Sequence, residues 1–138
     1  MVSECQKQKI LIVDDEEDMR IFISTVAETS GYESITAASG KDALKKARSN
    51  PPDLVVLDVM MPKIEDGIQT FFQFKSETGL RYIPVIILSA ISKKTFFHYI
   101  RMYPANEDSW QEPEGYMEKP PDAYELIQLI ESALQSRR

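Results

Sequence analysis

Three uninterrupted apolar runs punctuate the chain, and each stops at a polar side chain. Ile10-Leu11-Ile12-Val13 ends in Asp14-Asp15-Glu16-Glu17-Asp18, Leu54-Val55-Val56-Leu57 ends in Asp58, and Val85-Ile86-Ile87-Leu88 ends in Ser89. Short continuous runs rich in β-branched residues predict strands buried on both faces, as in a parallel sheet. Two weaker segments complete the set: Ser34–Ala38, broken by Ser39-Gly40, and Gly115–Glu118, which leads into Lys119-Pro120-Pro121. Between the strands the apolar period changes to that of a helix. Met19, Phe22, Ile23 and Val26 predict a helix over about residues 17–30, with Gly31 as its stop signal. Ala43, Leu44 and Ala47 mark a short second helix that Asn50-Pro51-Pro52 terminates. Asp66-Gly67 reads as a turn, after which Ile68, Phe71, Phe72 and Lys75 form a third helix closed by Gly79. A fourth helix starts near Ser92, carries Phe96, Phe97 and Ile100, and stops at Pro104. Asp122 caps the last helix, whose apolar side is Leu126, Ile127, Leu129, Ile130 and Leu134.

Five alternations of strand and helix predict an α/β fold: a five-stranded parallel sheet with helices on both faces. Right-handed crossovers leave few ways to wind it. In the flavodoxin-like order 2-1-3-4-5, strands one and three are neighbours, and their exits straddle the switch point where such sheets place ligands. Asp14, Asp15 and Asp58 then converge on one crevice with Ser89 and Lys119. Taken singly, each has a plainer explanation. Acids after the first strand suit a helix N-terminus, a strand-end aspartate suits a turn, a serine suits a helix cap, and a lysine suits the surface. Three carboxylates so close repel one another, and a hard divalent cation relieves that. Oxygen ligands with room for retained water suit Mg²⁺. Such an ion beside a carboxylate and a lysine is an arrangement for phosphoryl transfer, with an aspartyl phosphate as product.

Composition narrows the field further. The chain of 138 residues suits one domain, and its net charge of −6 with a pI near 4.8 argues against a nucleic-acid surface. The single cysteine, Cys5, offers no disulfide within the chain. Residues 1–7 read as a flexible tail without the apolar core of a secretory signal, and no apolar run is long enough to span a membrane. The expected location is cytoplasmic.

The chain resembles the response-regulator receiver domain of two-component signalling. The resemblance rests on Ile10-Leu11-Ile12-Val13-Asp14-Asp15-Glu16, on Leu57-Asp58-Val59-Met60-Met61-Pro62 with Asp66-Gly67 behind it, on Leu88-Ser89-Ala90, and on Tyr116-Met117-Glu118-Lys119-Pro120. It runs from about Lys9 to the last helix, within a receiver domain expected over residues 8–138, and it implies a role for each matched residue. Asp58 would accept the phosphoryl group. Asp15 would bind Mg²⁺ directly, Asp14 mainly through a metal-bound water, and Asp58 and the Met60 carbonyl would complete the protein ligands. Ser89 would hydrogen-bond a phosphoryl oxygen, and Lys119 would pair with the phosphoryl group, or with Asp58 before it arrives. Tyr116 would be the switch aromatic that follows Ser89 inward. The Lys119–Pro120 bond is often cis in such domains. The implied phosphoryl donor is a histidine kinase or a histidine phosphotransfer protein. The output would be a downstream protein met through the face of the fourth helix, fifth strand and fifth helix, and homodimerisation on phosphorylation is compatible with it. The resemblance implies a stand-alone receiver, or one cut from a longer chain, rather than an enzyme.

Two features depart from the family pattern. Ser89 and Lys119 are several positions further apart than usual, because of an acidic insertion near residues 103–114 that carries Trp110. Such a loop can be inert, or it can reshape the partner surface with Trp110 as an anchor. Met60 and Ile91, two positions beyond Asp58 and Ser89, are apolar where the family flanks the path of hydrolytic water, so slow self-dephosphorylation is expected. His98, the only histidine, has no partner at ligand spacing. Competing functions fare worse. A metal-dependent phosphatase with an aspartyl nucleophile, of the haloacid dehalogenase type, wants a second acid where Met60 stands. A flavin-binding module wants a phosphate-cradling loop where five acids stand. A degenerate receiver acting only as a docking module would not need the intact acids, Ser89 and Lys119.

Overall fold

The computed structural model describes residues 7–102 and 112–136. The chain alternates β1 (Lys9–Val13), α1 (Glu17–Thr29), β2 (Glu33–Ala37), α2 (Gly40–Ser49), β3 (Leu54–Leu57), α3 (Ile64–Ser76), β4 (Val85–Ser89), α4 (Lys93–Met102), β5 (Gly115–Glu118) and α5 (Ala123–Ser136). The sheet is parallel throughout, in the order β2-β1-β3-β4-β5. Tail residues 1–6 with Cys5, and residues 103–111 of the acidic insertion with Trp110, lie outside the described residues.

Continuous apolar runs make sense only if both faces of the sheet are covered, and they are. Every residue of β3 and β4 is buried. Leu11, Val13, Val55, Leu57 and Ile87 face one core, shared with Phe71 and Phe74 of α3 and Phe96 of α4. Ile10, Ile12, Leu54, Val56, Ile86 and Leu88 face the other, against Ile23 and Val26 of α1 and Leu126 and Ile130 of α5. Each such side chain contributes about 1.5–3 kcal/mol by leaving water. Small polar side chains set the helix starts. Ser39 accepts the Asp42 N–H at 3.1 Å, Ser92 accepts that of Thr95 at 3.1 Å, and Asp122 accepts that of Glu125 at 2.9 Å. Gly31 closes α1 at φ +94°, in the left-handed region that glycine favours.

The third helix differs from the sequence expectation. Asp66-Gly67 is not a turn before it but part of its first turns, since α3 begins at Ile64. The glycine is there for packing. A Cβ on Gly67 would stand 2.1 Å from the Cα and carbonyl oxygen of Val59, so α3 lies directly on the segment that follows Asp58. The Lys119–Pro120 peptide is cis, and so is Met61–Pro62.

Gly67→Ala should therefore destabilise the protein by about 1–3 kcal/mol. Gly79→Ala, where a Cβ meets nothing within 4 Å, should change stability by less than about 0.5 kcal/mol. Urea unfolding of the two variants checks the contrast.

Candidate functional site

Parallel register places the acids. Val13 of β1 lies opposite Leu57 of β3, so the next residues, Asp14 and Asp58, leave the sheet at the same height. Backbone pairing continues through both: the Asp58 N–H donates to the Val13 carbonyl at 2.9 Å and the Asp14 N–H to the Ala37 carbonyl at 3.1 Å. Asp14 is 1% exposed and Asp58 3% exposed, whereas Asp15 faces solvent. One carboxylate oxygen from each of the three lies within 4.8 Å of the others.

Lys119 closes the cluster from the far side. Its N–H pairs with the Ser89 carbonyl at 2.9 Å, extending β5 by one residue. Its Nζ then lies 2.9 Å from Asp14 Oδ2, 3.1 Å from Asp58 Oδ2 and 3.3 Å from Glu16 Oε1. Burial alone would favour a neutral amine here. The hydrogen bond to Asp14 and the charges of Asp58 and Asp14 outweigh it, and the lysine is held above its ordinary value. Asp14 is pushed up, first by burial and then by the charge of Asp58. The bonds it accepts from Lys119 and from the Glu16 N–H, the latter at 2.9 Å, offset this only in part. Arg20 Nη1 donates to the Asp14 carbonyl at 2.7 Å and fixes the backbone from α1. Met60, half-exposed, donates its N–H to Asp58 Oδ1 at 3.1 Å, and so orients that carboxylate.

Ser89 and Tyr116 flank the cluster in contrasting states. Ser89 is fully buried and its Oγ has no hydrogen-bond partner among the described residues. The helix cap that a serine here could have supplied comes instead from Ser92. The Tyr116 hydroxyl donates to the Ile91 carbonyl at 2.7 Å, and its ring centroid lies 5.3 Å from that of Phe96. Burial, with the charges of Glu118 and Asp58, raises its hydroxyl pKa. His98 lies exposed on α4 against Tyr99, and it is not part of the acid cluster found among the described residues.

The structure thus brings Asp14, Asp15, Asp58 and Lys119 together, with the unpartnered Ser89 hydroxyl at the neighbouring strand exit. The sequence reading passed over Glu16 and Arg20 as members of the site. Glu16, the N-cap of α1, is one acid among five, and Arg20, one turn into the helix, carried no signal of its own. The donor set is all oxygen and negatively charged, which fits a hard divalent cation and not a thiolate- or imidazole-seeking one.

Comparison with known proteins points the same way. The family model described as response regulator receiver domain matches residues 10–131. The polar-differentiation response regulator DivK of Brucella ovis is 33% identical over 128 residues, which are 93% of this chain and 96% of DivK. The alkaline phosphatase synthesis transcriptional regulatory protein PhoP of Bacillus subtilis is 46% identical over 83 residues, which are 60% of this chain and 33% of PhoP. The chain thus spans about a third of the length of the first curated relatives it matches. Among solved structures, the receiver domain of the Francisella response regulator 1452 superposes with a TM-score of 0.76 at 29% identity, covering 96% of this chain and 100% of that one. The chemotaxis protein CheY4 of Vibrio cholerae, at 24% identity, shares the fold with a TM-score of 0.77 over 93% of this chain and 99% of its own.

A raised Asp14 has a definite sign in stability. Its charged form is disfavoured by folding, so its contribution is most favourable below the ordinary aspartate range and is lost as pH rises through its folded value. Asp14→Asn keeps the shape and removes the charge. It should raise the melting temperature of the metal-free protein by a few degrees at neutral pH. The gain should vanish as the pH falls through the aspartate range, as followed by circular dichroism melts.

Proposed function

The chain belongs to the response regulator receiver domain family, and on that premise we propose that Asp58 is the phosphoacceptor of this one. The observation that carries the reading is Lys119 bridging Asp58 and Asp14 across three strand exits, with Asp15 in the same cluster. An oxygen of Asp58 attacks the phosphorus of a phosphohistidine on a partner kinase or phosphotransfer protein. The new P–O bond forms as the P–N bond breaks, and the electron pair returns to the imidazole, which takes up a proton. Lys119 moves its pairing from the carboxylate to the phosphoryl oxygens, where charge develops. Ser89 supplies a hydroxyl donor that has nothing else to bond. The Met60 N–H holds the second Asp58 oxygen in place.

Asp14, Asp15, Asp58 and the Met60 carbonyl are the groups that would hold Mg²⁺. The ion, when bound, neutralises the acids and the incoming phosphoryl oxygens. Among the described residues, no helix is long and apolar enough to cross a membrane. The output surface is the α4–β5–α5 face, where Tyr99, Met102 and Tyr124 are exposed. It would engage a downstream protein or a second phosphorylated copy.

With Mg²⁺ and acetyl phosphate or phosphoramidate, the intact protein should gain the mass of one phosphoryl group, and Asp58→Asn should gain none. A chain that stays unmodified, or an Asp58→Asn variant modified at the same rate, removes the reading. The apolar Met60, beside the site, should make the phosphorylated form long-lived. Met60→Asn should shorten its lifetime severalfold, as measured by decay of the phosphorylated mass after the small donor is removed.

A further inference from the structure

One buried charge lies far from the carboxylate cluster. Lys75, on α3, is 2% exposed. Its Nζ meets Glu114 Oε1 at 2.6 Å and Oε2 at 2.8 Å, and the Ile83 carbonyl at 3.3 Å. Glu114 immediately precedes β5, and it is tied to β4 twice. Its N–H donates to the Val85 carbonyl at 2.9 Å, and its Oε1 accepts the Val85 N–H at 2.7 Å. The carboxylate thus completes the β4–β5 ladder where the backbone of β5 has run out.

The rest of β5 specifies its own register poorly. It is an edge strand of four residues paired only with β4. Tyr116 and Met117, its two large side chains, are both half-buried, on opposite faces. Burial therefore separates the two faces weakly, and a slip of one residue exchanges them. Residues 103–114 separate it from α4 in the sequence, a longer connection than the norm of about 4–6 residues. Two further constraints act on it: Gly115 lies under Leu129 of α5, where a Cβ would stand 2.8 Å from Leu129 Cδ1, and the Tyr116 hydroxyl is bonded to the Ile91 carbonyl. Everything β5 delivers to the site depends on register. Ile87 opposite Tyr116 and Ser89 opposite Glu118 put Lys119 next to Ser89 and within reach of Asp14 and Asp58.

We propose that Lys75 and Glu114 form a register pin for β5, positioning residues that hold Lys119 and Tyr116 at the height at which they meet the carboxylate cluster. The inference rests on the receiver reading for what that cluster does. The pair is buried at its lysine end, while the Glu114 side chain is 32% exposed; such a pair is a weak source of stability but can select one arrangement over its neighbours. A slip of one residue in either direction would set Pro113 or Gly115, neither with a carboxylate, opposite the Lys75 ammonium in place of Glu114.

Two variants test it, Glu114→Gln and the apolar pair Lys75→Met with Glu114→Met, with the β4–β5 register read directly from cross-strand NOEs between Leu88 and Met117. The pin predicts a second set of β5 signals in which these NOEs are weakened or displaced. It also predicts phosphorylation by acetyl phosphate slowed roughly tenfold, from the lost lysine contact. Mg²⁺ should bind roughly threefold tighter, because a competing positive charge has left the acids. A purely structural role would not tighten Mg²⁺ binding. Wild-type NOEs, phosphorylation rate and Mg²⁺ affinity in both variants overturn the proposal. Loss of fold in both also overturns it, because the pair would then hold the domain together instead of choosing its register. If the wild-type chain takes no phosphoryl group, the receiver reading fails, while the NOEs still decide the pin.

Discussion

The molecule depends on one electrostatic arrangement: two buried carboxylates on adjacent strands share one ammonium. Asp14 and Asp58 are almost without solvent, where an unpaired charge costs several kcal/mol. Lys119 pairs with both at once and offsets part of their charge, leaving the cluster net negative. The topology dictates that the cation be long and flexible. β5 does not adjoin β3, since β4 lies between them, and two strand spacings come to roughly 10 Å. The lysine stem crosses the exit of β4, and the residue at that exit, Ser89, is small. Arginine's rigid fork serves less well where one point charge must turn between two acceptors. Strand order, the length of Lys119 and the size of Ser89 are therefore one constraint seen from three sides.

The same constraint explains what could be read before folding. Continuous runs such as Leu54–Leu57 can be satisfied only by a two-faced core, so the parallel sheet was legible with the acids at its strand ends, while its order followed from the flavodoxin-like fold type and not from the runs. Asp66-Gly67 was misread because a glycine after an acid carries the local signature of a turn. Its actual reason, the approach of the Val59 backbone, is a tertiary contact with no local trace. Glu16 joins Lys119 across 103 positions and Glu114 joins Lys75 across 39. In sequence, each is one more acid in an acidic stretch, and only the fold gives it a partner. Lys75 itself follows the apolar stripe of α3, where spacing marks it as inward-facing but cannot say what pays for its charge.

The asymmetry between Ser89 and Tyr116 gives the fold a direction of change. The Ser89 hydroxyl is buried without a partner among the described residues, and a polar group so placed costs about 1–3 kcal/mol. The Tyr116 hydroxyl is satisfied, but by the carbonyl of Ile91, two residues beyond Ser89 on the same loop. In the proposed reading, a phosphoryl group on Asp58 is the acceptor that Ser89 lacks. Drawing Ser89 toward it moves the backbone from which the Tyr116 bond hangs, so relief at one hydroxyl disturbs the other. Coupling of this kind needs no long pathway. It needs two groups on one short segment that are satisfied by opposite positions of that segment. The Ser89–Ile91 segment carries both, with the Tyr116 ring already packed against Phe96 of α4. In that reading, a change at the strand exits would reach the α4–β5 surface through the Tyr116 side chain.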